Sequence, residues 1–154
     1  MSKIGLFFIL LVSGCCLSCM EKKQGGMVEN AFSVAERQLA AQLKAVPEPV
    51  AFPRTIRNGE LYTTKMNDWT EGFYPGCLWY IYENNKDESW EQSALQWTEA
   101  LEPLKRLTNH HDIGFLMYCS FGNAYRLTGN EAYKNVLIES ARSLCTRFNE
   151  KTGC

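Results

Sequence analysis

The chain repeats itself. Gly72-Phe73 recurs as Gly114-Phe115 and Cys77 recurs as Cys119, an offset of 42 residues. Tyr82, Asp87-Glu88 and Trp90 recur as Tyr125, Asn130-Glu131 and Tyr133, an offset of 43. Ala94 and Leu101 then match Leu137 and Leu144. Self-similarity at such a period marks stacked supersecondary units, because a single unit cannot bury both of its faces. Each unit reads as a helix, a tight turn and a longer helix. An open solenoid and a closed helical toroid both satisfy that physics, and the period alone does not choose.

The apolar spacing predicts an all-α chain. Val28 to Ala45 carries a 3.6-residue stripe of Ala31, Val34, Ala35 and Leu39, with Leu43 one turn on. Pro47, Pro49 and Pro53 end it and force an extended connection to about Asn67. Further helices are expected over 75–84, 88–107, 113–127 and 131–148. Trp90, Ala94, Trp97 and Leu101 mark the buried face of the 88–107 helix. Tyr133, Leu137, Ala141, Leu144 and Phe148 mark that of the last. Gly129 is placed to close one helix and Asn130 to cap the next. No strand pattern competes with this reading.

The first residues look like a targeting segment. A short positive start is followed by an apolar run from Ile4 to Val12, far short of the roughly 20 residues a spanning helix needs. Val12-Ser13-Gly14-Cys15 then has the form of a bacterial lipobox, with Cys15 as the lipidated residue and Cys19 as the second candidate. Residues 1–14 are therefore expected to be a lipoprotein signal peptide, 15–26 a tether, and 27–154 the folded part. The expected location is the bacterial cell envelope, periplasmic or surface-exposed, with the membrane touched only through the lipid. A formal net charge of −1 gives no basic footprint for nucleic acid. Cys77, Cys119, Cys145 and Cys154 show no zinc spacing; Cys77, Cys119 and Cys145 fall in helical apolar patterns and read as small core residues, with disulfides the alternative.

Two helix entrances carry the chemistry. Asn67-Asp68-Trp69-Thr70-Glu71-Gly72-Phe73-Tyr74-Pro75-Gly76 packs two acids, a Trp and two glycines at one; Asn109-His110-His111-Asp112-Ile113-Gly114-Phe115 forms the other. The repeat puts them on the same edge of successive hairpins, so Trp69 and Asp112 are candidates to share a pocket. An indole face stacks on the C–H face of a pyranose, while carboxylates and imidazoles bond its hydroxyls. Each residue has a plainer reading: Trp69 as core, Asp112 as a helix N-cap, His110-His111 as a solvated turn. Adjacent histidines diverge and chelate poorly, so no metal is expected. Arg57, Lys65 and Arg106 are candidates to meet an acidic sugar, though lone basic residues are usually solvated surface.

Asp68-Trp69-Thr70-Glu71-Gly72-Phe73-Tyr74-Pro75-Gly76-Cys77-Leu78-Trp79 resembles the first signature of glycoside hydrolase family 88, the unsaturated glucuronyl hydrolases. His111-Asp112-Ile113-Gly114-Phe115 resembles its second. Tyr125-Arg126-Leu127-Thr128-Gly129-Asn130 and Arg147-Phe148-Asn149 are similar to family sequence in the same order. The resemblance implies an (α/α)6 toroid of helical hairpins with a pocket at one end. It implies removal of a 4,5-unsaturated uronic acid from the non-reducing end of lyase-generated oligosaccharides, with no cofactor or metal. An Asp protonates the vinyl ether double bond, water adds to the other carbon, and the hemiketal opens and expels the rest of the chain. Asp112 matches one of the two active-site aspartates, the one that assists and positions. Trp69 matches the aromatic residue near the unsaturated ring, and His111 a pocket histidine. The family's principal acid–base Asp matches neither Asp68 nor Asp87 and falls beyond Cys154. The chain is thus expected to be an N-terminal part, roughly the first five helices, inactive alone.

Two rivals share these features. The unsaturated rhamnogalacturonyl hydrolases have similar fold and chemistry, and the Trp-Thr-x-Gly-Phe-x-Pro-Gly form favours the glucuronyl branch. A non-catalytic, lipid-anchored sugar-binding protein would keep the export signal and surface tryptophans; a downstream Asp discriminates.

Overall fold

The computed structural model describes residues 26–153. The expected signal peptide and the lipidation candidates Cys15 and Cys19 lie outside the described residues, as does Cys154. Helix α1 (Met27–Ala45) leads into a β-hairpin of β1 (Phe52–Arg57) and β2 (Glu60–Thr64). Then follow α2 (Phe73–Asn85), α3 (Glu88–Glu99) and a 3₁₀ turn (Glu102–Arg106). Next come α4 (Ile113–Met117), a π turn (Tyr118–Gly122), α5 (Asn123–Thr128) and α6 (Glu131–Cys145).

The hairpin corrects the all-helical reading. Arg57 pairs with Glu60 across Asn58-Gly59, whose φ angles of 52° and 83° are both positive. That is the two-residue turn whose twist matches antiparallel strands, and Asn-Gly is its favoured sequence. The register shifts at a bulge between Pro53 and Thr55, the kind of ladder break at which a strand tolerates proline. Phe52 anchors the hairpin: it is buried and meets Trp97 edge-on, with ring centroids 5.1 Å apart.

The two repeat units are helical hairpins, as the self-similarity predicts. α2 packs on α3 in the first; α4, the π turn and α5 pack with α6 in the second. Both turns use one device. Lys86 and Gly129 take left-handed backbone at the end of one helix, and Asp87 and Asn130 cap the next. Asp87 Oδ1 accepts from the Ser89 N–H at 2.9 Å, and Asn130 Oδ1 accepts from the Ala132 N–H at 3.0 Å. The predicted face of α3 is buried throughout: Trp90, Ala94, Trp97 and Leu101. The α-helix stops at Glu99, short of the expected 107, because Pro103 has no N–H to give the Glu99 carbonyl and its ring clashes there. α6 buries Tyr133, Val136 and Ser140 and leaves Ala141 exposed, so its stripe runs beside the predicted one. Phe148 lies past the end of α6 and is exposed. In α1 only Leu39 of the predicted stripe is buried, while Ala31 and Val34 face solvent.

Glycine sets how closely the two units approach. A Cβ at Gly72 would overlap the carbonyl oxygens of Phe115 and Leu116. One at Gly76 would stand 2.8 Å from the Cys119 carbonyl oxygen. Spaced four apart, the two glycines form one bare ridge of α2 against the second hairpin. The cysteines are not core residues as expected. Cys77 and Cys145 are exposed, Cys119 is half-buried, and these three are free thiols.

Candidate active site

The bare ridge carries the two helix entrances onto each other. Phe73 and Phe115, repeat equivalents, lie 5.8 Å apart between ring centroids, and Trp69 meets Phe73 at 5.9 Å and Phe115 at 6.2 Å. The three rings form a partly exposed aromatic wall, with Trp69 43% accessible. Trp69 is therefore not a core residue: its indole is held by edge contacts and still offers surface to a ligand.

The loop that presents Trp69 is tightly held. The Thr70 N–H and hydroxyl donate to Asp68 Oδ1 at 3.0 and 2.6 Å, and Arg54 of β1 donates to Asp68 Oδ2 at 2.6 Å. Burial pushes the Asp68 carboxyl up, but these bonds and the Arg54 cation outweigh it and hold it below the usual range. Asn67 takes a φ of 99°, unusual for any residue but glycine. Its N–H donates to Glu71 Oε2 at 2.8 Å. Glu71 is only 1% exposed, and its Oε1 has no hydrogen-bond partner among the described residues. Burial raises its carboxyl; the Asn67 N–H opposes that shift and the Asp68 charge adds to it. Sequence reasoning noted this acid only as one of a pair.

At the second entrance the geometry separates two roles of Asp112. Its main-chain carbonyl starts α4, accepting from the Phe115 N–H at 2.9 Å and the Leu116 N–H at 3.3 Å. Its carboxylate makes no capping bond. Instead Oδ2 lies 3.1 Å from His111 Nε2, with the Asp112 side chain 21% and that of His111 78% exposed. His110 fixes the approach: its Nδ1 accepts the Asp112 N–H at 3.2 Å, and its ring stacks on His111 at 5.9 Å. His110 also stands close enough to Asp68 to draw that carboxyl down, which links the two entrances electrostatically.

The structure thus brings the two junctions together through Trp69 and Phe115. The open cavity beside Trp69, about 650 Å³, does not include Asp112, however. It opens toward the hairpin and is lined by Arg54 and Arg57. Of the other basic candidates, Arg106 is held by Glu139 at 2.6 Å, and Lys65 is exposed.

No family model matches the chain. Over 134 residues it is 38% identical to an unsaturated glucuronyl hydrolase of Formosa agariphila, covering 83% of this chain and 31% of that protein. A crystal structure of an unsaturated glucuronyl hydrolase specific for heparin superposes with a TM-score of 0.76 at 37% identity, covering 82% of this chain and 34% of that one. The chain belongs to the unsaturated glucuronyl hydrolase family. A mutant of the unsaturated glucuronyl hydrolase from Streptococcus agalactiae, complexed with dGlcA-GalNAc6S, also superposes. Its TM-score is 0.70 at 28% identity, with 79% of this chain and 33% of that one covered. The helical hairpins described above are accordingly part of an (α/α) toroid. The chain spans about a third of the length of these unsaturated glucuronyl hydrolases.

Proposed function

We propose that this segment supplies one wall of the active site of a glycoside hydrolase. The enzyme removes a 4,5-unsaturated uronic acid from the non-reducing end of lyase-generated oligosaccharides. The observation that carries the reading is the carboxylate of Asp112. A carboxylate placed to start a helix would spend itself on free backbone N–H groups. Here the main-chain carbonyl alone makes the helical bonds, and the carboxylate is left half-exposed against His111. The resemblance of the Asp68–Trp79 and His111–Phe115 stretches to the family's two signatures supports the same assignment.

In this role the Trp69 face stacks on the unsaturated ring, with Phe73 and Phe115 setting its tilt. Asp112 accepts a hydrogen bond from the attacking water or a ring hydroxyl and stabilises positive charge developing at the vinyl ether carbon. His111 orients Asp112 and donates to the sugar from the solvent side. The first proton onto the double bond comes from an acid elsewhere in the longer protein. Export and lipid anchoring at Cys15, or at Cys19, form part of the same proposal and rest on the lipobox pattern.

The test follows the conjugated absorbance of a 4,5-unsaturated uronyl disaccharide. The substrate is mixed with a polypeptide of the relatives' full length that contains this segment, without added metal or nucleotide. The absorbance is expected to fall with turnover. Trp69→Ala should raise KM more than it lowers kcat, because stacking acts on substrate and transition state alike. Binding of the disaccharide without loss of absorbance would instead describe a sugar-binding protein.

A further inference from the structure

The cavity beside Trp69 lies on the hairpin side of the aromatic wall, away from Asp112. Its apolar walls are Leu39, Pro53, Trp69 and Phe73, and the charged side chains lining it, among the described residues, are Arg54 and Arg57. At about 650 Å³ it is large enough for sugar units. The two arginines are not equivalent. Arg54 is committed to Asp68 at 2.6 Å. Arg57 has no carboxylate within ion-pair distance among the described residues; its guanidinium carbon lies over the Tyr62 ring, 3.6 Å from the centroid. Stacking on Tyr62 holds the guanidinium plane while leaving its N–H edge free to donate. Asp68 offsets Arg54, and Glu60 stands opposite Arg57 across the turn, so the cation this rim offers beside the indole is the single stacked guanidinium of Arg57.

We propose that Arg57, seated on Tyr62 and backed by Arg54, forms an oxyanion subsite for a sulfate ester or uronate carboxylate on the saccharide whose neighbouring ring contacts Trp69. The inference rests on the sugar-site reading above and deepens it. A guanidinium edge matches the oxygens of either group, and the apolar walls take the ring faces between them. The β-hairpin thereby acquires a purpose: its Asn58-Gly59 turn brings Tyr62 of β2 back beside Arg57, at the end of β1, as the seat for its guanidinium.

The experiment is calorimetric titration of a polypeptide of the relatives' full length that contains this segment, carrying Asp112→Asn to slow turnover, with two unsaturated disaccharides of one backbone, one O-sulfated and one unsulfated. The variants are Arg57→Ala, Arg57→Lys and Trp69→Ala. The sulfated sugar is expected to bind about three- to fivefold tighter at low salt, with the preference shrinking as salt rises. Arg57→Ala should abolish it, and Arg57→Lys should keep part of it. If Arg57→Ala weakens both sugars equally, the uronate carboxylate is the group held. Equal binding of both, unchanged by Arg57→Ala but lost in Trp69→Ala, overturns the subsite and leaves the site reading intact. No binding of either sugar contradicts both.

Discussion

Glu71 shows how one residue can hold a site without touching a ligand. Its Oε2 fixes the Asn67 N–H in a left-handed backbone, and that turn presents Trp69. The carboxyl is buried and raised, so the folded chain holds more protons than the unfolded chain just above the ordinary glutamate range. Its contribution to stability is complete below that range and lost as pH rises through the raised value. Glu71→Gln removes this term and keeps an acceptor for Asn67. As pH rises from the ordinary glutamate range, the variant's Tm should gain on wild type. A Tm difference independent of pH would mean that the carboxyl titrates normally. The sequence shows two acids beside a Trp, but not which one is buried. That depends on the direction the loop takes after Asn67, set by β2 and by Arg54 on Asp68. Asp112 was legible as a candidate from its motif, while the split between its carbonyl and its carboxylate needed coordinates.

The hairpin and the helix-to-helix ridge decide where those residues go. Gly72→Ala puts a methyl group against the Phe115 and Leu116 carbonyl oxygens, which are backbone and cannot swing aside. It should cost about 1–3 kcal/mol, measured by chemical denaturation. Because the ridge aligns Phe73 with Phe115, it should also disturb the aromatic wall. Gly114→Ala is the control: a Cβ there meets nothing within 4 Å. Equal stability of the two variants would contradict the close packing of the repeat units. Helices and turns were legible because the repeat, the caps and Gly129 act locally. The hairpin was missed because three prolines spoke against a strand, although Asn58-Gly59 was the stronger signal. The π turn after Met117 has no comparably specific sequence mark: the Ser120 hydroxyl donates to the Leu116 carbonyl at 2.6 Å within Tyr118 to Gly122, a run of middling to weak helix formers that fits several local structures.

At the scale of the whole molecule, the proposed site is one wall of a toroid, in a chain that spans about a third of its relatives' length. The repeat predicted stacked hairpins but not ring closure, since closure depends on small rotations summed over all units. The proposed location in the cell envelope rests on the lipobox pattern at Val12-Ser13-Gly14-Cys15. Mass spectrometry of protein purified from bacterial membranes should show an acylated N-terminal cysteine at residue 15 or 19. An intact Met1 would contradict the lipobox reading. Turnover is likewise a property of the whole protein, and it tests the central claim most directly. In a chain of the relatives' full length that contains this segment, Asp112→Asn should lower kcat for an unsaturated uronyl disaccharide by about 10²-fold or more, with unchanged Tm. Asparagine caps a helix as well as aspartate does, so a structural role would leave the rate untouched. A wild-type rate in Asp112→Asn would contradict the assignment of the site.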